Sequence, residues 1–295
     1  MIPLNWEDLR LVLSVARCGS LNRAAAELGM NVATCSRRLT QLEGAASTVC
    51  FVRRPNGVEL TPAGRLVVEH AQAMELHTVE LQRAIAASQH SARATVTVTC
   101  PDSLAAALVI PAISKMQADA ADVAVDLITD NRVVDLHRGE ADIALRLRRP
   151  VRGGLRVRKI ATFSYGLYAG REYIKQAGFP ASLEDLRNHK LIGLRSRYPN
   201  HGPAVWWDSH CDPAAIAIRC DRTLERLGCA EANMGITLLA RVLGEEAGLV
   251  RILPNEPLPK LEIFLLAQPG ALRVPAVRMV AEQLAAYARG NATAF

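Results

Sequence analysis

Residues 19–39 read GSLNRAAAELGMNVATCSRRL and decide the fold of the amino-terminal region. Ser20 and Asn31 are residue types that cap helices, and apolar residues at helical spacing follow each of them. Gly29 stands between the two patterns and supplies a tight turn. The stretch therefore predicts two short helices, 21–28 and 32–43, joined by a turn.

A third helical pattern precedes this stretch. Apolar residues recur at spacings of three and four from Trp6 to Ala16, Asn5 precedes them as a cap, and Gly19 ends the pattern. Three helices in this order are typical of a helix-turn-helix, whose last helix lies in the major groove of DNA.

The predicted last helix carries polar residues suited to that groove. Thr34, Ser36, Arg37 and Arg38 fall between its apolar positions, where hydroxyls and guanidiniums would meet bases and phosphates. The same pattern occurs on ordinary solvent-facing helices, so it does not establish DNA binding by itself. Residues 1–60 carry seven arginines against five acidic residues, so charge does not decide the question either.

Residues 53–60, RRPNGVEL, add a hairpin to the three helices. Asparagine and glycine at its tip tolerate the positive φ angles that such turns need. A hairpin beside a helix-turn-helix forms a wing, and we expect Arg53 and Arg54 to hold flanking phosphates. The wing favours DNA binding over the solvent-facing alternative.

A long helix is predicted from Pro62 to about Gln89, because no glycine or proline follows Gly64 in that range. Residues recur along it at alternating spacings of four and three, as in a coiled-coil seam. The seam residues are Val67, Ala71, Met74, Thr78, Leu81 and Ile85. One interpretation is a helix packed on its own domain. The other, which we favour, is a homodimer in which the two copies cover each other's seam.

Beyond a polar linker, strand and helix patterns alternate. Strands are predicted at 95–100, 123–128, 142–146, 164–169, 191–194, 215–220 and 261–267, and helices at 104–118, 133–138 and 275–289. Repeated strand-helix-strand units predict a parallel sheet covered by helices on both faces. Ligands bind such sheets beyond the carboxyl ends of the strands.

Polar residues follow several of these strand ends. The resulting candidates for binding a small molecule are Asp102, Ser103, Thr129, Arg146, Arg148, Arg195, Ser196 and Thr223. Residues 146–159 contain seven basic residues and no acidic one, a pattern usual for solvent-facing loops. Because the run starts at a strand's carboxyl end, we expect Arg146 or Arg148 to favour an anion such as a small carboxylate.

Composition excludes several classes of protein. Half of the 295 residues are hydrophobic, yet no apolar run approaches the about 20 residues that cross a membrane. Acidic residues stand at positions 7 and 8, where a secretory signal carries basic ones, so we expect a cytoplasmic protein.

Catalytic and metal-binding motifs are also missing from the sequence. The polar cluster around Trp206-Trp207 matches no standard metal-ligand spacing. Its members are His201, Asp208, His210, Cys211 and Asp212. No nucleophile elbow, phosphate-binding loop or dinucleotide fingerprint is present. We therefore expect no enzyme activity, no cofactor and no metal.

The order and spacing of the amino-terminal motifs resemble the signature of LysR-type transcriptional regulators, and the resemblance extends over the whole chain. The motifs are Gly19-Ser20-Leu21 with Ala24-Ala25, Ser36-Arg37-Arg38-Leu39 with Leu42-Glu43, Phe51 with Arg53, and Leu60-Thr61-Pro62-Ala63-Gly64. The resemblance implies an α/β protein with an amino-terminal winged helix-turn-helix, a long linker helix and two Rossmann-like α/β lobes of periplasmic-binding-protein type.

The same resemblance implies domain limits at 1–61, 62–91 and 92–295. It divides the last domain into lobe I (92–161 and 268–295) and lobe II (162–267), with an effector bound between them near the candidates above. It also implies a homodimer or homotetramer on a pseudo-palindromic operator in double-stranded DNA, with RNA polymerase as a further candidate partner. The expected DNA contacts are Ser20, Asn22, Asn31, Val32, Thr34, Ser36, Arg37, Arg38, Arg53 and Arg54.

The chain departs from the family pattern in the recognition helix, where members commonly have Ser-Gln and this chain has Asn31-Val32. Asn31 still serves as a cap. Val32 lacks the amide that reads adenine, but its methyl groups suit a thymine methyl. An alternative function also stays open: a solute-binding module or enzyme whose head serves protein contacts only. The intact wing and the absent signal sequence disfavour it.

Overall fold

The computed structural model describes residues 4–55, 57–89, 94–119, 123–129, 136, 139–150, 154–195, 202–292 and 295. The chain forms two compact units, one mainly of residues 1–91 and one mainly of residues 92–295. Across these ranges, no helix combines the length and apolarity needed to cross a membrane.

The first unit, called the head here, begins with the three predicted helices. They are α1 (Trp6–Cys18), α2 (Leu21–Glu27) and α3 (Val32–Ala45). Asn5 and Asn31 cap α1 and α3 as predicted, since each side-chain oxygen accepts from the N–H three residues later, at 2.9 and 2.8 Å. Ser20 occupies the predicted N-cap position of α2 with extended backbone, but its side chain makes no cap hydrogen bond with any described residue.

The apolar faces of these helices form the core of the head. The fully buried members include Leu11, Val12, Leu13, Ala24, Ala25, Cys35, Leu42 and Ala71. The wing is an antiparallel hairpin of β1 (Phe51–Arg54) and β2 (Gly57–Leu60), and Asn56 at its tip lies outside the described residues. The long helix α4 (Pro62–Gln89) follows with the predicted limits.

The second unit is a mixed α/β structure. Its strands are β3 (Ala94–Cys100), β4 (Val123–Thr129), β5 (Ile143–Arg146), β6 (Arg156–Ala169), β7 (Leu191–Leu194), β8 (Ile216–Cys220), β9 (Ile236–Ala240), β10 (Val250–Ile252) and β11 (Lys260–Ala267). Its helices are α5 (Asp102–Leu104), α6 (Ile110–Asp119), α7 (Arg171–Ala177), α8 (Gly202–His210), α9 (Thr223–Glu231), α10 (Arg241–Glu246) and α11 (Pro275–Gly290).

The sheet is not wholly parallel, which corrects the prediction. Its order is β4-β3-β5-β11-β6-β9-β7-β8, with β10 paired to β6. Strand β3 is parallel to β4 and β5, and β7 is parallel to β8 and β9. Strands β6 and β11 run antiparallel to their neighbours and join the two parallel halves. We call the half with β3, β4 and β5 the first lobe and the half with β7, β8 and β9 the second lobe.

Several predicted elements differ in extent. Strands β9 and β10 were not predicted, and β6 begins at Arg156, eight residues before the predicted start at Ser164. The predicted helix 104–118 is interrupted by a π-helical turn at Ala105–Val109. The predicted helix 133–138 lies outside the described residues apart from Leu136.

The pairing of β11 indicates where the chain passes between the lobes for the second time. Its pairing with β6 shifts register between Ile263 and Phe264, and only the residues from Phe264 onward pair with β5 of the first lobe. We therefore propose the crossover at 263–264, earlier than the expected 267–268. One large apolar core extends through both lobes.

Candidate DNA-binding surface and effector cleft

The wing lies against the turn that follows α1. The backbone N–H of Val58 donates to the carbonyl oxygen of Gly19 at 3.0 Å. A Cβ atom on Gly57 would stand 2.2 Å from the same oxygen, so this approach requires glycine. The contact holds the wing beside the start of α2.

Glu43, near the end of α3, fixes the start of the wing. Its Oε1 accepts from the backbone N–H groups of Cys50 at 2.7 Å and Phe51 at 3.2 Å. The buried start of β1 is thereby bonded to the recognition helix. The Leu42-Glu43 part of the signature thus serves the scaffold of the head.

The Leu-Thr-Pro-Ala-Gly motif is also structural. Thr61 Oγ1 accepts from the N–H of Gly64 at 2.8 Å, which caps α4, and donates to the carbonyl oxygen of Val49 at 2.6 Å. A Cβ atom on Gly64 would stand 2.0 Å from the carbonyl oxygen of Cys50. The motif therefore lets α4 start in direct contact with the strand that opens the wing.

An open groove of about 480 Å³ lies between the starts of α2 and α3 and the wing. Its lining includes six of the ten predicted DNA contacts: Ser20, Asn22, Val32, Ser36, Arg53 and Arg54. Arg53 Nη2 donates to Ser36 Oγ at 3.4 Å, which joins the wing to the recognition helix. Hydroxyl, amide, apolar and guanidinium groups thus share one accessible surface.

The other predicted DNA contacts differ in how exposed their side chains are. Asn31 and Arg37 are exposed on the start of α3, and Thr34 is half-buried beside them. Arg54 donates to Glu59 across the hairpin at 3.0 Å, and both side chains are more than half exposed. An exposed pair of this kind is weak, so Arg54 can exchange Glu59 for a phosphate at little cost.

Arg38 does not share the groove. Its Nε and Nη2 donate to Asp8 Oδ1 in α1, at 3.0 and 2.7 Å, and the Arg38 side chain is only a quarter exposed. The structure thus places this guanidinium against its own head, contrary to the expectation of a DNA contact. Arg38 holds the recognition helix on α1.

The predicted seam of α4 is covered by the head in one part and exposed in another. Ala71 is fully buried in the core of the head and Val67 packs partly against it, so this portion follows the interpretation of a helix packed on its own domain. Arg17 pairs with Glu75 on the same side. Met74 and Leu81, farther along the same seam, are exposed, and so is Leu66. The seam is therefore covered by the head at Ala71 and exposed at Met74 and Leu81, and the homodimer that would cover the exposed part stays a prediction.

The first-lobe candidates lie at one sheet edge. Cys100 at the end of β3 pairs with Thr129 at the end of β4, so Asp102 and Ser103 follow beside an exposed Thr129. Asp102 and Ser103 are 8% and 4% exposed, which distinguishes them from ordinary loop residues. Burial raises the pKa of the neighbouring Cys100 thiol to about 12.

Arg146 is turned toward its own sheet. Its Nη1 donates to the carbonyl oxygens of Thr99 at 3.0 Å and Leu145 at 2.9 Å, and Nη2 reaches Thr99 Oγ1 at 3.4 Å. Arg148 is exposed. The geometry therefore gives Arg146 a structural role at the strand end.

The second-lobe candidates also lie at adjacent strand ends. Leu194 of β7 pairs with Cys220 of β8, Arg195 follows β7 and is exposed, and Thr223 opens α9 behind β8. Ser196 lies outside the described residues. The two lobes contact each other here, because the backbone N–H of Leu224 donates to Asp102 Oδ2 at 3.1 Å.

Sequence reasoning missed Arg226 and Tyr165, two buried residues that interact electrostatically with Asp102. Arg226 is 5% exposed, and burial lowers its pKa while the nearby Tyr165 and Asp102 act in the opposite direction. Burial likewise raises the pKa of Tyr165. The sequence did contain a signal for Arg226, namely an arginine in the first turn of a helix that follows a strand end.

The cluster around Trp206-Trp207 is ordinary packing. The Trp206 ring stacks on His210 with centroids 4.5 Å apart, and His210 Nδ1 lies 2.8 Å from the Trp206 carbonyl oxygen. Asp212 accepts from the N–H of Ala214 at 2.8 Å, and His201 lies outside the described residues. In the described ranges, no three His, Cys, Asp or Glu side chains stand together as a metal site.

A winged helix-turn-helix head, a long helix and a two-lobed α/β unit define the class of ligand-responsive DNA-binding regulators. Residues 6–65 match the bacterial regulatory helix-turn-helix proteins of the lysR family, and residues 89–289 match the LysR substrate binding domain. The chain belongs to the LysR family of transcriptional regulators.

Individual relatives support the same family membership. The Mau operon transcriptional activator of Paracoccus denitrificans is 30% identical over 286 residues, which cover 94% of each chain. Two solved structures share the fold. CrgA from Neisseria meningitidis matches with a TM-score of 0.54 at 21% identity, over 95% of this chain and 99% of CrgA. ArgP from Mycobacterium tuberculosis matches with a TM-score of 0.61 at 20% identity, over 98% of each chain.

Proposed function

We propose that this LysR-type regulator binds a pseudo-palindromic operator through the groove of the head, and that a small anionic effector between the lobes controls the binding. The groove that combines Ser36 and Val32 of α3 with Arg53 of the wing is the observation that carries the proposal. We further propose that the protein acts in the cytoplasm and that RNA polymerase is a partner on the operator.

The groove has the chemistry of both kinds of DNA contact. Arg53 and Arg54 are exposed. Their positive charges stand on the wing, the part of such a head that lies along the DNA phosphates. Val32 is 43% exposed at the start of the recognition helix, where side chains meet base edges. We assign phosphate contacts to the two arginines and an apolar contact with thymine to Val32.

A second copy of the chain is the proposed partner of the exposed face of α4. Met74 and Leu81 are exposed and stand seven residues apart along this face. Such spacing suits packing between two long helices. Two heads on one dimer would read two half-sites, and two dimers would form the homotetramer.

The salt dependence of duplex binding tests the role of the groove. We expect Arg53→Ala to weaken binding to the DNA upstream of the protein's own gene and to reduce the slope of log affinity against log salt by about one per head. Fluorescence anisotropy of the labelled duplex at a series of salt concentrations measures both quantities.

Arg10→Ala is the matched control. Arg10 is also an exposed arginine of the head, but it pairs with Glu7 at 3.0 Å on α1 and does not line the groove. We expect Arg10→Ala to keep the wild-type affinity and slope. Equal losses in the two variants would contradict the proposed binding surface.

A further inference from the structure

The carboxylate of Asp102 is buried, and its hydrogen-bond partner belongs to the other lobe. Asp102 opens α5, directly after β3 of the first lobe, and is 8% exposed. Its Oδ2 accepts from the backbone N–H of Leu224 at 3.1 Å, across 122 positions of sequence. The contact is therefore made by a carboxylate of one lobe with the main chain of the other.

Leu224 stands in the first turn of α9, a helix of nine residues. The first N–H groups of a helix have no partner within the helix and attract anions. Arg222, which precedes α9, makes no side-chain cap hydrogen bond with it in the described part of the chain. The carboxylate of Asp102 takes the place that such a cap would fill.

Arg226 lies in the same turn and adds a buried positive charge. Its Nη1 donates to the carbonyl oxygen of Arg222 at 3.3 Å and its Nη2 to Thr223 Oγ1 at 3.2 Å. Its Nε is buried and has no hydrogen-bond partner among the described residues. The guanidinium also interacts electrostatically with Asp102 and Tyr165. A buried charged donor without an acceptor indicates a place for a further acceptor.

We propose that the Leu224 N–H and the Arg226 guanidinium form a carboxylate-binding subsite in the second lobe, which Asp102 of the first lobe occupies in this structure. A small carboxylate effector binds there by displacing Asp102. This inference rests on the proposed function, because it names the anchor of the effector in the same cleft.

The tethered carboxylate explains how binding is coupled to lobe position. An intramolecular carboxylate competes with free ligand at a high effective concentration, so an effector needs contacts beyond its carboxylate. Displacement breaks the Asp102–Leu224 bond between the lobes and favours a different lobe arrangement. A ligand shifts such an equilibrium only through its differential affinity for the two arrangements, and the occupied subsite supplies that difference.

Removal of Asp102 tests the subsite by chemical rescue. In full-length Asp102→Ala the subsite is open, and acetate supplies the missing carboxylate. We expect acetate to raise the thermal unfolding midpoint of Asp102→Ala in a saturable manner, with an apparent affinity about tenfold or more above that of the wild type. Acetamide, which has the same shape without the charge, is expected to give no shift.

Two controls isolate the effect. Sodium chloride matched to the ionic strength of acetate removes the general salt effect. Asp126→Ala removes an exposed carboxylate from β4 of the same lobe and should respond to acetate as the wild type does. Equal acetate responses of Asp102→Ala and Asp126→Ala would overturn the proposal.

A second variant covers the case in which Asp102→Ala does not fold. Asp102→Ser leaves room for acetate, and its hydroxyl can accept from neighbouring N–H groups. The same selective rescue is expected, and its absence would also overturn the proposal. Duplex binding by the wild type distinguishes failure of the subsite from failure of the proposed function. Failed rescue with intact duplex binding contradicts the subsite alone. A wild type that binds no duplex contradicts the proposed function.

Discussion

The head and the second unit use their polar residues in opposite ways. In the head, the groove-facing residues such as Asn22, Val32 and Arg53 are exposed. In the second unit, Asp102, Ser103 and Arg226 are buried, and Asp102 already has an internal partner. The first surface is open to a large partner, whereas the second is closed on itself.

The difference follows from the two kinds of partner. DNA carries its charges on an extended surface and is met by exposed cations, which keep their hydration until contact. A small ligand is held in a buried place, where every polar group left without a partner is costly. Asp102 has an internal partner in Leu224, whereas the buried Arg226 Nε has none among the described residues, so the proposed binding of a carboxylate is an exchange of partners.

The largest expected effect concerns the scaffold of the head. Gly64→Ala places a Cβ atom 2.0 Å from the carbonyl oxygen of Cys50, so we expect the head to lose about 3 kcal/mol or more of stability. Amide hydrogen exchange of α1 across a urea series measures the loss. Gly44→Ala is the control, because a Cβ at that helical position meets nothing within 4 Å and should be neutral or stabilising.

Two arginines at strand ends of the second unit, Arg146 and Arg195, should differ in their contribution to stability. Arg146→Ala removes three hydrogen bonds to Thr99 and Leu145, so we expect a loss of about 2 kcal/mol in unfolding free energy. Arg195 is exposed, and Arg195→Ala should change stability by less than about 0.5 kcal/mol. Equal stability losses in urea unfolding would contradict the structural assignment of Arg146.

The smallest expected effect separates the two arginines of the head. Arg38→Ala breaks the partly buried pair with Asp8 and should cost about 1 kcal/mol of stability. Arg53→Ala should leave the stability of the head unchanged while weakening duplex binding. Urea unfolding of both variants beside the duplex titration shows whether stability and binding depend on different residues.

The helices of the head were predictable because residue types that begin or end helices stand at their limits. Asn5, Gly19, Gly29 and Asn31 stand at the limits of α1, α2 and α3, and the apolar spacing between them matches the buried faces. Strand β9 was missed for a physical reason: all five of its residues are buried, so it shows no alternation to tell a strand from a helix.

The site was predictable only in part, because some of its contacts join distant positions. Nothing local in the sequence reveals that Arg38 reaches Asp8 or that Asp102 reaches Leu224. The same limit applies in the seam of α4, where Ala71 has the correct spacing for a partner helix but fills the core of its own head. Residue type and spacing indicated candidate surfaces, and packing decided which of their side chains remain exposed.

Hydrogen exchange of the full-length protein with and without duplex DNA shows directly whether the groove of the head binds DNA. The probe is the DNA upstream of the protein's own gene at low salt. We expect the strongest protection in peptides that cover the start of α2, the start of α3 and residues 51–60 of the wing. Unchanged exchange in those three segments, with the duplex shown to be bound, would contradict binding through the groove.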